Sequence, residues 1–214
     1  GIPFCIKLLL QLFRNELKTT QLAKDNLQLE FNFLKAQINP HFLFNTLNNI
    51  YGLILQGDNK RSAVLVDRLS ELLRYILYES DHQTMSIDRE IKLLADYTEL
   101  EKVRLNNTLV SFTFNSDGSI NQIAPLLFIP LIDNAFKYSA DKPGSVINIC
   151  LDIQHGLVLF KIKNTVDIRA LNNSGGIGLS NFRKRLDLYY AGKYEYTAGI
   201  VEDTYIVNLI IKSS

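Results

Sequence analysis

One stretch decides how this chain is organised: Gln37-Ile38-Asn39-Pro40-His41-Phe42-Leu43-Phe44-Asn45. A proline inside a helix removes a backbone donor and clashes with the preceding turn, so we predict that the helix kinks or restarts at Pro40. The residue directly after this break is His41. The chain is therefore expected to change direction at this histidine.

A seven-residue repeat leads into the stretch. Its two series are Leu10, Leu17, Lys24, Phe31 and Ile38, and Phe13, Thr20, Leu27, Leu34 and His41. Most of these positions are apolar, and sustained spacing of this kind predicts a coiled coil that forms a dimer. Unbroken, the repeat would place His41 in the buried seam. Because the register can change at Pro40, we predict that His41, Asn45 and Asn48 lie on an exposed polar face.

Three amphipathic helices are predicted between Pro40 and Asn107. The turn Gly57–Lys60 separates the first two, and the polar loop Ser80–Ser86 precedes the third, which Ser86 or Asp88 is expected to cap. Because the first two helices cannot bury both apolar stripes alone, a four-helix bundle with a second copy is expected. The predicted stripes are Leu43, Leu47, Ile50 and Ile54, then Val64, Leu65, Leu69, Leu72, Leu73, Ile76 and Leu77, then Ile91, Leu94, Tyr97, Leu100 and Leu105.

Strand signals begin near residue 107 and predict an α/β sandwich, so the whole chain falls in the α+β class. The turn Gln154-His155-Gly156 is expected to join two strands as a hairpin. The predicted strands are Leu109–Phe114, Val146–Ile153, Leu157–Lys163, Tyr194–Val201 and Tyr205–Ile211, and the predicted helices are Pro125–Ser139 and Leu179–Tyr190. This pattern divides the chain into residues 1–36, 37–106 and 107–214.

Composition excludes several classes of function. The 214 residues carry 23 Lys and Arg against 22 Asp and Glu, and a net charge of +1 favours no nucleic-acid partner. Cys5 and Cys150 fit neither a metal-ligand spacing nor a disulfide framework, which favours a reducing, cytoplasmic setting. No apolar run reaches the roughly 18 residues that span a bilayer. The segment Ile2–Leu10 is expected to be either the end of a transmembrane helix or the start of an amphipathic one.

Three polar side chains interrupt the apolar helix that is predicted to start at Pro125: Asp133, Asn134 and Lys137. Burying such groups unpaired is costly, so they need solvent, a ligand or partners. An amide oxygen can complete the shell of Mg2+, and a lysine three residues later can reach a phosphate oxygen. The pattern indicates either a nucleotide–metal corner or an ordinary solvated helix edge.

A glycine cluster opens the next predicted helix: Ser174-Gly175-Gly176-Ile177-Gly178-Leu179-Ser180-Asn181. Glycines let the backbone approach a ligand closely, and a helix N-terminus offers amide donors to phosphate oxygens. The spacing matches neither the P-loop nor the dinucleotide fingerprint. Alone, the cluster is a weak indication of phosphate binding.

From about Leu34 to its end, the chain resembles the histidine kinases of the LytS/YehU type. The phosphoacceptor box of that family is similar to residues 37–48, Gln-Ile-Asn-Pro-His-Phe-Leu-Phe-Asn-Thr-Leu-Asn. The region after residue 107 resembles the GHKL (Bergerat) ATPase fold. Its asparagine box is similar to Asp133-Asn134-Ala135-Phe136-Lys137-Tyr138, and its glycine box to Gly175-Gly176-Ile177-Gly178-Leu179.

The resemblance implies a sensor histidine kinase of a two-component system. It implies a coiled-coil signalling linker (1–36), dimerisation and phosphotransfer helices (37–106) and an ATP-binding domain (107–214). ATP with Mg2+ would phosphorylate His41, and the phosphoryl group would pass to an aspartate in the receiver domain of a response regulator. The implied catalytic residues are His41, Asn45 and Asp133; the implied Mg2+ ligand is Asn134; the implied nucleotide-binding residues are Asn134, Lys137, Tyr138, Asn164, Gly175, Gly176, Ile177, Gly178 and Leu179.

The resemblance further implies a homodimer that is the cytoplasmic portion of a bacterial inner-membrane protein, attached to the membrane through a part outside this sequence. Within it, Asn45 is a hypothesis of its own, because it lies four residues after His41 on the predicted exposed face. There it could orient a water that dephosphorylates the partner, or it could be an ordinary polar-face residue.

Three positions depart from the family pattern. Asn164 stands where an aspartate usually accepts a hydrogen bond from the adenine amino group; its carbonyl can still accept, but the amide is uncharged and can flip. Asp133 replaces a glutamate. Phe42 follows His41, so no adjacent carboxylate can act as a base, and Asp133, Asp81 and water stay open for that role.

The missing aspartate allows an alternative function, a signalling adaptor that binds nucleotide weakly or not at all and acts through dimerisation. A third alternative is a GHKL ATPase that phosphorylates another protein, for which His41 is dispensable.

Overall fold

The computed structural model describes residues 40–78, 84–166 and 177–212, without the side chains of Ile177 and Gly178. The chain divides into two compact units, residues 1–43 and 44–214. The predicted coiled coil and the segment Ile2–Leu10 lie outside the described residues. Within the described ranges, no helix is both long enough and apolar enough to cross a membrane.

Three helices occupy the first part of the described chain: α1 (Pro40–Leu55), α2 (Asn59–Tyr78) and α3 (Ile87–Lys102). Proline suits the first position of a helix because the donor it lacks would have no intrahelical partner there. Asp58 caps α2, since its Oδ1 accepts a hydrogen bond from the Arg61 amide at 3.1 Å. The predicted turn Gly57–Lys60 is confirmed in its first half, where Gly57 has a φ of 78°, whereas Asn59 and Lys60 already belong to α2.

The buried faces of α1 and α2 differ in part from the predicted stripes. Leu47 and Ile54 of α1 are 47% and 49% exposed, and Val64 and Leu77 of α2 are exposed as well. One chain alone offers too little apolar surface to cover both helices on all sides. The residues that are buried instead are Phe42, Thr46, Ile50 and Leu53 on α1, and Ser62, Leu65, Leu69, Leu72, Tyr75 and Ile76 on α2.

Five strands form one mixed sheet: β2 (Thr108–Ser116), β4 (Ser145–Gln154), β5 (Leu157–Thr165), β6 (Tyr194–Val201) and β7 (Thr204–Lys212). Their order across the sheet is β2-β4-β5-β7-β6. Strand β2 pairs with β4 in parallel, and every other neighbouring pair in this sheet is antiparallel. The α+β class and all five predicted strands are confirmed, with ends that differ by at most two residues.

The hairpin between β4 and β5 turns at His155 and Gly156, which have φ angles of 53° and 75°. Two consecutive residues with positive φ are typical of the tight turn whose twist matches antiparallel strands. The predicted hairpin is thus confirmed.

A second, two-stranded sheet corrects the prediction that Ser80–Ser86 is wholly a polar loop. Its strands are β1 (Met85–Ser86) and β3 (Gln122–Ile123), which pair antiparallel. Met85 and Ile123 are both buried, and burial of this pair favours a strand over a loop. Ser86 occupies the N-cap position of α3, but its side chain makes no capping hydrogen bond.

The core lies between one face of the five-stranded sheet and the helices α4 (Ile129–Lys137) and α5 (Ile177–Tyr190). Alternate residues of the central strands point into it, as period-two side-chain alternation requires. The Phe128 and Phe160 rings stack with centroids 4.4 Å apart, where the start of α4 meets β5. Further buried core residues are Ile147, Ile149, Leu151 and Ile153, then Val158 and Ile162, then Val207, Leu209 and Ile211.

Helix α4 begins at Ile129, four residues later than the predicted start at Pro125. Leu126 has a φ of 54°, which an α-helix cannot accommodate. The Leu126 amide donates to Glu90 Oε2 of α3 at 3.1 Å. The side chain of Glu90, on another helix, therefore provides the hydrogen-bond acceptor for a backbone amide in the turn that precedes α4.

Glu90 itself has no exposed surface. Burial raises the pKa of its carboxyl from 4.5 to about 7, although the Leu126 amide and the positive charge of Arg185 on α5 lower it. Among the described residues, Glu90 Oε1 has no hydrogen-bond partner. The folded state therefore favours the protonated form of Glu90 relative to the unfolded chain.

This shift gives a pH-dependent stability. Because the pKa of Glu90 is raised in the folded state, its carboxyl contributes to the free energy of unfolding at low pH. This contribution is fully present below about pH 4.5 and is lost as the pH rises through about 7. We expect Glu90→Gln to gain stability relative to wild type between pH 5 and pH 8, by on the order of 2 kcal/mol. Urea unfolding at both pH values measures this difference.

A matched control is Asp67→Asn, on an exposed residue of α2. Its difference from wild type should be the same at both pH values. If the difference in free energy of unfolding between Glu90→Gln and wild type does not change with pH, the raised pKa of Glu90 is contradicted. Glu90→Ala should destabilise at both pH values, because it leaves the Leu126 amide without its acceptor.

Candidate functional site

Helix α4 places polar residues at the rim of the sandwich. Its apolar face is buried, whereas Asp133 and Asn134 are half-buried and Lys137 is exposed. The Lys137 Nζ lies 5.0 Å from the centre of the Tyr138 ring, within reach of a cation–π interaction. Among the described residues, the Tyr138 hydroxyl is buried without a hydrogen-bond partner. Asp133 and Asn134 are thus partly shielded from solvent, and Lys137 is open to it.

The backbone after α4 runs beside the end of β5. At one end Phe128 stacks on Phe160, and at the other the Ala140 amide donates to the Thr165 carbonyl at 3.1 Å. Asn134 on α4 and Asn164 on β5 both lie between these two anchors. The fold therefore places these two amides, which are 30 residues apart in the sequence, on two elements that pack against each other.

Asn164 is fully buried, with 0% of its surface exposed. Within the described part of the chain, neither its Oδ1 nor its Nδ2 has a hydrogen-bond partner. A buried amide left unpaired in this way is unfavourable. It fits a ligand that offers both a donor and an acceptor, as the edge of a nucleotide base does.

A polar cluster behind Asp133 was not predicted from the sequence. The buried Tyr97 of α3 donates its hydroxyl to Asp133 Oδ1 at 3.0 Å. The Nε of Arg104 lies 2.5 Å from Glu101 Oε2, which makes the two side chains an ion pair. The Arg104 guanidinium also lies over the Phe136 ring, 5.9 Å from its centre. The cluster links α3 to the polar edge of α4.

Burial determines the charges of this cluster. It raises the pKa of Glu101 from 4.5 to about 7, against the positive charge of Arg104 and together with the negative charge of Asp133. Burial, and then the charges of Asp133 and Glu101, hold the pKa of Tyr97 well above 10. Tyr97 therefore stays a hydroxyl donor to Asp133 throughout the physiological pH range. The sequence signal for the cluster was the helical spacing of Tyr97, Glu101 and Arg104.

Asp141 fastens the loop after α4 to the start of β2. Its carboxylate accepts hydrogen bonds from the amides of Asn106 and Asn107 at 3.3 and 3.0 Å, and from Thr108 Oγ1 at 2.9 Å. These bonds hold the pKa of Asp141 below its usual value. The connection between α3 and β2 is thereby tied to the loop that follows α4.

Helix α5 carries part of the glycine cluster in its first turn. It begins at Ile177, so Gly178 and the half-buried Leu179 belong to it, while Gly175 and Gly176 lie outside the described residues. Its fully buried Phe182 packs against Tyr196 of β6, with ring centres 5.2 Å apart. The packing fixes the helix that the glycine cluster opens.

The predicted phosphoacceptor region lies on α1. His41 and Asn48 are exposed and Asn45 is half-buried in the single chain. In the described ranges, no group of three or more His, Cys, Asp and Glu could hold a metal ion. Mg2+ that enters with a nucleotide needs only one or two protein ligands, since phosphate oxygens and water supply the rest. The Asn134 amide is compatible with such a role.

Residues 29–109 match the family described as histidine kinase. Sensor histidine kinase YesM of Bacillus subtilis is 30% identical over 192 residues, which cover 84% of this chain and 33% of YesM. Sensor histidine kinase BtsS of Escherichia coli is 28% identical over 184 residues, 83% of this chain and 32% of BtsS. The histidine kinase domain of EL346 from Erythrobacter litoralis aligns with a TM-score of 0.47 at 14% identity, over 84% of this chain and 91% of that chain.

The resemblance to sensor histidine kinases of the LytS type is confirmed by the family match and by these relatives. The chain spans about a third of the length of the curated relatives it matches.

Removing the hydroxyl of Tyr97 tests the cluster behind Asp133. Tyr97→Phe should lower the free energy of unfolding by about 1–2 kcal/mol, because it removes a hydrogen bond to a carboxylate at a buried position. Tyr194→Phe is the matched control, since Tyr194 donates to Asp187 at 2.7 Å on the exposed surface and should change stability little. Urea unfolding of both variants measures the effect. If both substitutions lower the free energy of unfolding equally, the buried Tyr97–Asp133 hydrogen bond stabilises the fold no more than the exposed one.

Proposed function

We propose that this chain is the kinase portion of a dimeric sensor histidine kinase. It phosphorylates His41 from Mg-ATP and then passes the phosphoryl group to an aspartate of a response regulator. The observation that carries the proposal is the pair Asn134 and Asn164: a half-buried amide at the rim and a buried, unpaired amide on the strand beside it. The family match over residues 29–109 supports it.

Each residue of the site has a role in nucleotide binding. The Asn164 amide would face the base, Asn134 would hold Mg2+, and Lys137 and Tyr138 would bind near the phosphates. The backbone amides of the glycine cluster would donate to phosphate oxygens, as amides at a helix N-terminus can. The residues of this cluster are Gly175, Gly176, Ile177, Gly178 and Leu179. When bound, Mg2+ neutralises charge on the phosphate oxygens that the transferred group carries.

His41 is the acceptor. Imidazole is neutral and nucleophilic near physiological pH, so a ring nitrogen can attack the γ-phosphorus. A nitrogen–phosphorus bond forms, the bond to the bridging oxygen breaks, and ADP leaves with the electron pair. The imidazole proton must pass to a base. We assign this role to Asp133, because the Tyr97 hydroxyl holds its carboxylate in a fixed orientation; Asp81 and water are the alternatives.

A second copy of the chain covers the exposed stripe of α1. Phe44, Leu47, Tyr51 and Ile54 recur at helical spacing and are all exposed in the single chain. Pairing of two such hairpins would bury this stripe in a four-helix bundle. Attachment to the membrane would come from a part outside this chain, as in a sensor whose kinase portion lies in the cytoplasm.

Incubation with γ-labelled ATP and Mg2+ tests the kinase. The wild-type chain should acquire label that is acid-labile and base-stable, and His41→Gln should lose it. His155→Gln, at the tip of the β4–β5 hairpin, is the matched control and should keep the label. If wild type binds no nucleotide in calorimetry, the chain is an adaptor. If His41→Gln still supports labelling of another protein, the third alternative holds.

The same assay examines Asn45. We propose that Asn45 orients a water that dephosphorylates the response regulator, since it follows His41 by one helical turn. Asn45→Ala should leave His41 labelling intact and slow the loss of label from a phosphorylated receiver domain. If the rate of label loss from the receiver domain is unchanged, Asn45 has no role in dephosphorylation and is an ordinary residue of the polar face.

Charge on the exposed α1 stripe should prevent dimerisation. Leu47→Glu combined with Ile54→Glu is expected to convert the dimer to a monomer in sedimentation, because four carboxylates would face one another across the interface. Leu188→Glu is the matched control, since Leu188 is an exposed leucine, 75% exposed, on a different helix, α5. A dimer that survives the double substitution would place the interface elsewhere.

A further inference from the structure

The amide of Asn164 is the starting point for an inference about which base the site accepts. We propose that Asn164 lets the pocket bind guanine nucleotides as well as adenine nucleotides, so that the site is selective for purines and not for adenine. This inference rests on the proposed nucleotide site and names the ligand class of that site.

The surroundings of Asn164 leave its orientation undetermined. It lies on the inner face of β5, where Phe160 and Ile162 precede it at alternate positions and are buried. Its neighbours across the sheet are Ile147 on β4 and Tyr205 on β7. No group among the described residues donates to its oxygen or accepts from its nitrogen. The Asn164 amide can therefore adopt either orientation, and the ligand that binds determines which one.

An amide and a carboxylate differ in what they can recognise. An ionised carboxylate only accepts hydrogen bonds, whereas an amide carries an acceptor oxygen and a donor nitrogen side by side. Adenine presents an amino donor next to a ring-nitrogen acceptor, and guanine presents a carbonyl acceptor next to a ring N–H donor. One orientation of the Asn164 amide matches the first pattern. The reverse orientation matches the second.

Another unpaired buried polar atom near the end of α4 does not restore a preference. The Tyr138 hydroxyl lacks a partner among the described residues, and a hydroxyl both donates and accepts. If it reaches the base, it can serve either purine. Discrimination would require a fixed donor or a fixed acceptor, and neither amide atom of Asn164 is fixed.

Calorimetry on the 214-residue chain with Mg2+ and nonhydrolysable analogues of ATP and GTP tests the inference without any kinase reaction. The wild-type dissociation constants for the two analogues should lie within about tenfold of each other. Asn164→Asp should increase the preference for ATP by about tenfold or more, because a carboxylate leaves the guanine carbonyl without a donor. Inosine triphosphate, which shares the guanine edge, should follow GTP.

The matched control is Asn148→Asp, which makes the same change of charge at an exposed position of β4. It should leave the ratio of the two dissociation constants unchanged. A wild-type preference for ATP above tenfold, or a ratio that Asn164→Asp does not move, would overturn the inference while the nucleotide site stands. If Asn164→Asp does not fold, the wild-type ratios for GTP and inosine triphosphate decide alone. Failure of wild type to bind any nucleotide would overturn the proposed function itself.

Discussion

The burial of one face of α4 against the five-stranded sheet is the constraint on which the rest of the site depends. Leu131, Ile132, Ala135 and Phe136 are almost fully buried, so the helix cannot rotate without exposing them. Asp133 and Asn134 must then lie at the boundary between core and solvent. Apolar packing, not polar attraction, thus determines where the polar groups of the site are.

Helix α3 supports this arrangement with buried polar groups. Its Glu90 accepts from the turn that precedes α4, and its Tyr97 donates to the middle of that helix. Both groups are buried, so each contact is costly to lose and strongly directional. The same α3 packs on α2. Any shift between α3 and α4 would therefore strain two buried hydrogen bonds at once.

The sequence predicts the strands well because alternation of apolar residues reports directly on which face of a sheet is buried. It predicts the polar edge of α4 for the same reason, since Asp133 and Asn134 interrupt an apolar run. It does not reveal Glu90 or Tyr97 as supports, because their partners are about 36 residues away and helical spacing says nothing about such contacts. It also extends α4 back to Pro125, since apolar composition alone cannot show that Leu126 adopts a positive φ.

The parallel pairing of β2 with β4 has a consequence for the order of folding. The hairpins β4–β5 and β6–β7 join neighbouring segments and can form early, whereas β2 must wait for a partner that lies beyond α4 in the chain. Contacts of such long sequence separation form slowly. Helix α4 lies within the crossover that this pairing closes. Asn164 lies on a hairpin that can form early, whereas Asn134 lies on the crossover helix. We therefore expect the two amides to reach their final positions at different stages of folding.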